Sequence, residues 1–193
     1  MKESILRQYG KINVEIEGIP PYGLLMHNIE NANLSKKIGP KQVSYLPEKE
    51  TEKNAYWMNN GNKKRVLCVP ERLITACILN GAKGLKSGKT ALVTLMAGAI
   101  RVEPEQCSLG TDKYTIDTRA VVIKKARILR SRPHVKDWAL KFQIIYNKNY
   151  LTPQSIEMAL ENSGIKAGLC DFAPHHKGHF GTFYVTKFEE VAE

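Results

Sequence analysis

Residues 164–188, GIKAGLCDFAPHHKGHFGTFYVTKF, decide how the rest of the chain is arranged. Gly164 stands where a helix should stop. Upstream of it Thr152 is a good N-cap, Pro153 fits the first helical position, and Ile156, Ala159, Leu160 and Ser163 share one helical face. Glycine is the natural residue just past such a helix, because it takes left-handed backbone angles without penalty. The middle of the stretch carries Gly168, Pro174, Gly178 and Gly181 and reads as a loop. It gathers three of the chain's five histidines, His175, His176 and His179. Residues 181–188 read as a final strand.

Working upstream, Trp138, Leu140, Phe142, Ile144 and Tyr146 alternate with Ala139, Lys141, Gln143, Ile145 and Asn147, the period of a strand. Residues 114–128, YTIDTRAVVIKKARI, form the longest strand candidate, with a bulge expected where the alternation slips at Lys124 and Lys125. Residues 129–137 read as a basic turn and 105–112 as a loop. Residues 90–100, TALVTLMAGAI, read as a second helix or a helix continuation that ends before Pro104. Pro70 is expected at the first position of a helix carrying Leu73, Ala76 and Cys77 and ending at Asn80-Gly81.

At the other end, Ile12, Val14 and Ile16 alternate with Asn13, Glu15 and Glu17, a half-buried strand. GIPPYG at 18–23 stops it. Residues 28–53 are polar, with Pro40, Pro47 and the charge run EKETEK at 48–53, and are expected to be a mobile excursion. The excursion closes with a hairpin signal: 55–58, a turn at 59–62, then 65–69, with Lys63, Lys64 and Arg65 at its tip. The order β, excursion, α, β, β, α, β is the ferredoxin-like plan, an α+β fold with an antiparallel βαββαβ sheet and both helices on one face. The expectation is one domain over 1–193 with an insertion at about 28–69.

Lys and Arg number 29 against 19 Asp and Glu, a formal charge of +10. Such a field favours nucleic acid, an anionic membrane or acidic protein partners. No run approaches the roughly 18 apolar residues of a membrane span, and the first residues lack a signal-peptide core. The four cysteines have no CxxC pair, which fits buried free thiols in a reducing cytoplasm better than zinc or disulfides. Residues 84–90, GLKSGKT, resemble a phosphate-binding loop but are one residue short and follow no strand.

The basic run is the stronger signal. Arg119, Lys124, Lys125, Arg127, Arg130, Arg132, Lys136, Lys141 and Lys148 face a single acid in their own span, Asp137. Carried on adjacent strands they make a stripe able to displace counterions from phosphates. In the glycine-rich loop, Gly178 and Gly181 allow close approach of a phosphate, and His175, His176, Lys177 and His179 supply donors. The His-His spacing matches no standard zinc site. His27, or His175, is the candidate base if the chain cleaves RNA.

Two glycine-bearing segments, Gly168-Leu169-Cys170-Asp171-Phe172 and Gly178-His179-Phe180-Gly181, lie between the expected second helix and last strand. Their arrangement resembles the glycine-rich loop of the RAMP superfamily, the RNA-binding subunits of CRISPR effector complexes and related crRNA-processing endoribonucleases. Cys170 stands where the family pattern has glycine. Val69-Pro70-Glu71-Arg72-Leu73 resembles the family's I-P-G-x-x-L helix entry, and VEIEGIPPYGLLMH its opening strand. The style of TIDTRAVVIKKARILRSRP is also similar to short phage and prophage proteins of this kind. The resemblance implies single-stranded RNA or DNA binding, without catalysis or cofactor, and self-association or entry into a larger ribonucleoprotein in the cytoplasm. It also implies a thumb-like role for the insertion with Lys63, Lys64 and Arg65. Two other readings stand beside it: a metal-independent endoribonuclease using His27 or His175, and a phage-encoded module that binds a host protein.

Overall fold

A computed structural model describes residues 8–28, 45–61, 64–123 and 126–191. In chain order its elements are β1 (Tyr9–Gly18), β2 (Leu24–Leu25), α1 (Pro47–Asn54), β3 (Trp57–Asn60), β4 (Lys64–Pro70) and α2 (Glu71–Gly81). There follow β5 (Lys86–Ser87), β6 (Thr90–Ala91), α3 (Leu92–Met96), β7 (Ile100–Glu103), β8 (Gln106–Ser108), β9 (Thr115–Ile123) and β10 (Ala126–Val135). The chain ends through β11 (Ala139–Asn147), α4 (Pro153–Asn162) and β12 (Phe183–Glu190).

The main sheet has the order β12-β1-β11-β7, every neighbouring pair antiparallel. Ile12, Val14 and Ile16 of β1 are buried and sit opposite Ile144, Phe142 and Leu140 of β11. These side chains share one face because strand residues alternate sides. The helices α2 and α4 join the same core through Ile74, Cys77 and Ile78, and through Ile156, Ala159 and Leu160. Truncating one such residue, for example Ile16→Ala, removes about 2–5 kcal/mol. The two helices meet closely at Gly81, where a Cβ would lie 2.6 Å from the Ser163 nitrogen. Thr152 and Ser155 cap α4 reciprocally, each side chain accepting from the other's backbone N–H.

A second sheet, β2-β10-β9, leaves this core as a long hairpin, and a third joins β3, β4 and β8. The structure differs from the sequence expectation here. The expected strand at 114–128 and the basic turn at 129–137 are two antiparallel strands, paired from Ile123↔Ala126 to Thr115↔His134. The bulge expected at Lys124 and Lys125 falls between β9 and β10, outside the described residues. The second strand of the main sheet is instead β7, which begins at Ile100, the last residue of the expected helix; only Leu92–Met96 of that segment is helical. The expected loop at 105–112 contains β8.

The charge run read as mobile is also ordered. Residues 48–53 belong to α1, where Thr51 and Asn54 are buried. Asn54 donates to the Ser131 carbonyl oxygen at 2.8 Å, and Thr51 donates to the Pro47 carbonyl at 2.7 Å. The rest of the expected excursion at 29–44 lies outside the described residues. Smaller shifts follow backbone geometry. Pro70 is the N-cap residue of α2, not its first helical residue. Past Asn162 the helix widens into a π turn, Ser163–Ala167, so Gly164 does not end it; Gly168, at φ 68°, does. The last strand begins at Phe183 rather than 181.

Candidate nucleic-acid interface

The basic hairpin and the glycine-rich loop, far apart in sequence, meet in space. Arg119 and Arg130 are register partners across β9 and β10, as are Asp117 and Arg132. Alternation places these four side chains on one face, and Thr118 and Ser131 on the other. On the first face the loop is docked. The Arg119 guanidinium lies 4.8 Å from the Phe180 ring centre, and that of Arg132 lies 5.4 Å from Phe172. Such contacts are worth about 0.5–2 kcal/mol each. Arg132 also pairs with Asp171 of the loop and is buried.

Acids brought from outside the basic run neutralise much of the expected stripe. Asp117 holds Arg119 through two hydrogen bonds of 2.7 and 2.9 Å. Glu50 of α1 accepts from Arg130 at 2.8 Å and from the Ser131 amide at 2.9 Å. Arg127, Lys136 and Lys177 are exposed and make no ion pair with a described residue. Lys124 and Lys125 lie outside the described residues, as does Lys63.

The other basic tip is similarly engaged. Arg65 pairs with Glu52 at 2.6 Å and stacks 4.0 Å over Trp57, and Lys64 lies 3.7 Å from Asp112. Glu52 also accepts from the Tyr114 hydroxyl at 3.1 Å; burial first, then this carboxylate, raises the Tyr114 pKa above its ordinary value. Thus two acids on one short helix hold two hairpins.

The loop's backbone is tightly folded on itself. Gly168 and Gly181 have positive φ, and so do Cys170 at 62°, Phe172 at 51° and Lys177 at 64°. Cys170 therefore takes the backbone angles a glycine would take. The amides of Gly168, Leu169, Asp171, Gly178, Phe180 and Gly181 donate to backbone carbonyls, and Gly178 packs against Phe172 with no space for a Cβ. Most of the loop's amides are thus already bonded, so its free contacts are made by side chains. Among those, His175, His176, Lys177 and His179 are exposed.

His27 and His175, the two candidate bases, line one small cavity of about 140 Å³ together with His176, Cys77, Cys170 and Asp171. His27 Nδ1 donates to Asn54 Oδ1 at 3.0 Å and His175 Nδ1 to the Ala167 carbonyl at 2.6 Å, which leaves both Nε2 atoms to act. Burial pushes the Cys170 thiol up to about 12, aided by Asp171 and Cys68, so it stays protonated at neutral pH. No group of three or more His, Cys, Asp or Glu among the described residues is placed to hold a metal.

Two other surfaces were candidates from sequence. The GLKSGKT stretch forms the small β5–β6 hairpin, with Gly88 at φ 60°, and not a loop opening into a long helix. The face of the main sheet away from the helices is polar and internally paired: Lys141 with Glu15 at 2.8 Å, Arg101 with Glu103 at 2.8 Å, Gln143 with Asn13 at 2.9 Å. Tyr184 on β12 is bonded to Glu17 at 2.6 Å. The exposed rings on this face, Tyr9 and Tyr184, stand at opposite ends of β1 and do not form the adjacent stacking rings of an RRM. Tyr22 and His134, which the sequence did not single out, join the interface through rings packed on His179 and Phe180. Tyr22 stands in a Pro-Pro-Tyr-Gly turn, and an aromatic residue in such a turn is the one sequence signal that marked it.

No helix among the described residues is long and apolar enough to cross a membrane. No protein-family model matches the chain, and no curated protein does. Among solved structures, a chain in the cryo-EM structure of the Type III-B Cmr-beta bound to cognate target RNA has a similar fold, with a TM-score of 0.53 at 14% identity. The match takes in 98% of this chain and 63% of that one, so this chain spans under two thirds of the length of its structural neighbour. At that identity the likeness is one of fold: a mixed α/β architecture built on antiparallel sheets.

Proposed function

We propose that this chain is a non-catalytic protein that binds single-stranded nucleic acid, on a RAMP-like scaffold of ferredoxin-like plan over residues 1–193. The observation that carries the reading is the docking of the glycine-rich loop on the arginine face of the β9–β10 hairpin. Two segments that sequence suggested separately become one surface. The order β12-β1-β11-β7 supports the ferredoxin-like plan, in which the fourth strand lies beside the first. Likeness to a chain from an RNA-bound assembly favours RNA over DNA and a place in a larger ribonucleoprotein.

Within this reading the open cations Arg127, Lys136 and Lys177 carry the phosphate contacts, and His175, His176 and His179 add donors. Arg119 and Arg130 contribute in part, being already paired. The thumb-like role falls to the β9–β10 hairpin, whose far part exposes Val122, Leu129 and Arg127, more than to the 28–69 insertion. Fluorescence anisotropy with a labelled single-stranded RNA tests the proposal. Affinity should fall steeply as salt rises, with a log–log slope of about −2 for three phosphate contacts. Flat affinity from low to high salt rejects it.

A second reading, a metal-independent endoribonuclease, is favoured by the shared cavity of His27 and His175. Either imidazole can take the 2′-hydroxyl proton at its free Nε2 and, as the imidazolium so formed, pass that proton to the leaving oxygen. Cleavage of RNA in chelator, lost in both His27→Ala and His175→Ala, would establish it. Intact RNA after long incubation removes it.

A further inference from the structure

We infer that Tyr22 and His179 form a stacking site for one nucleobase of the bound strand. The inference rests on the nucleic-acid reading and adds to it a contact that phosphate binding alone does not require. The two rings are stacked, their centres 5.2 Å apart and their planes at 28°. Phe180 supports Tyr22 from its edge at 6.0 Å and 66°. His134 in turn meets Phe180 at 5.6 Å, nearly perpendicular. Tyr22 remains 46% exposed, and His179 is exposed as well.

The backbone beneath the pair is fixed. His134 Nε2 donates to the Tyr22 carbonyl at 2.7 Å, and the Gly181 amide donates to the Gly23 carbonyl at 2.8 Å. Gly23 has φ 69°, and a Cβ there would lie 2.9 Å from the Lys136 Cα and 2.7 Å from His134 Nε2. Only glycine lets this turn settle on the end of β10. The turn of Tyr22 and the loop of His179 are thus bonded to each other and to the second sheet. A ring held this way has little freedom left to lose when a flat ligand stacks on it.

An exposed aromatic stack within a cationic rim suits a ligand that is flat, apolar on its faces and negatively charged at its edge. Lys136 adjoins Gly23, and Lys177 lies two residues before His179; both are exposed. A nucleotide has that combination: its base stacks and its phosphates meet the lysines. Stacking is sequence-tolerant, since every base has a π-face. The Pro20-Pro21-Tyr22 turn therefore acts as a reader of bases without being a reader of sequence.

Two single strands of equal length test the inference, one carrying 2-aminopurine among ordinary bases and one made of abasic sites. With the unaltered protein, 2-aminopurine fluorescence should be quenched on binding, and the base-bearing strand should bind more tightly than the abasic one. Tyr22→Ala should weaken binding of the base-bearing strand by roughly 5- to 150-fold, the range for losing one aromatic stack. It should leave abasic affinity unchanged. Tyr22→Phe should keep most of the affinity, and His179→Ala should lose part of it with a folded thermal melt. Equal binding of both strands by the unaltered protein, without quenching, overturns the stacking site but leaves the phosphate reading standing. So does a folded Tyr22→Ala that binds the base-bearing strand as the unaltered protein does. Binding of neither strand overturns both.

Discussion

Arg132 in β10 and Asp171 in the glycine-rich loop form an ion pair nearly closed to water, with Nε 2.5 Å from Oδ2 and the arginine side chain 8% exposed. The contact is charge against charge without an aligned hydrogen bond, and Arg132 Nη1 is buried with no hydrogen-bond partner among the described residues. The hairpin and the loop are joined at this point.

Removing one partner leaves the other as a buried charge, which costs about 3–5 kcal/mol. Asp171→Ala should therefore lower the unfolding free energy obtained from urea titration by an amount in that range. The double variant Arg132→Met, Asp171→Ala should recover part of the loss, since no buried charge remains. Costs that simply add in the double variant would show that the pair is not coupled.

Cys170 occupies left-handed backbone space that glycine takes freely. Cys170→Gly should relieve about 1 kcal/mol of strain and give up a similar amount of packing, leaving stability within about 1 kcal/mol. Cys170→Val should cost at least about 2 kcal/mol, because a β-branched side chain is poorly accommodated there. Chemical denaturation of the two variants beside the parent protein gives the comparison; a Val variant as stable as the Gly variant would refute it.

The open and paired cations should differ in a binding titration. Arg127→Ala, Lys136→Ala and Lys177→Ala should each reduce the salt slope by about 0.7. Arg130→Ala should change it less, because Glu50 already engages that guanidinium. Glu50→Gln should raise RNA affinity by freeing it, while costing about 1–3 kcal/mol of stability for the lost charge-assisted bonds. Anisotropy across a salt series reads the first effect and urea unfolding the second.

Stability should fall above about pH 9. In the unfolded chain the thiols ionise near 9.0, whereas burial raises Cys68 to about 11 and Cys107 and Cys170 to about 12. Cys77 is raised further, also chiefly by burial. Above the unfolded value the unfolded chain binds fewer protons than the folded one, so alkali favours unfolding. The stabilisation is complete below about pH 9 and is lost as pH rises through the folded values, by at most roughly 1.4 kcal/mol per pH unit per thiol. Urea midpoints at about pH 8 and about pH 10.5 give the test, with an unchanged midpoint as the contrary result.

Where the sequence was legible, the cause was local. Ile12, Val14 and Ile16 alternate because one side of β1 is buried, and Thr152-Pro153 announces α4 because capping acts within a few residues. Other features depended on distant neighbours. Residues 114–128 read as one strand with a slip and 129–137 as a turn, and nothing local shows that the chain pairs with itself there instead of joining the main sheet. The short β7 of Ile100–Glu103 starts on the last residue of a segment that reads as helix, and only its partner β11 marks it as a strand. The basic run looked open because the acids that bind it are carried elsewhere: Glu50 and Asp171 lie 80 and 39 positions from Arg130 and Arg132. Asp117 alone was within reach, two residues before Arg119. Of the interface, the loop histidines and the hairpin arginines were visible; Tyr22 and His134 needed the fold to bring them to Phe180.

The helix α1 grips one hairpin with Glu50 and another with Glu52, so a load on either is shared. A pull on the β9–β10 hairpin draws on the Glu50 bonds and, through the same helix, on Arg65 and Tyr114. Two outlying arms so tied resist tension as one body. The stiffness with which either hairpin holds its place is therefore set in the α1 clasp.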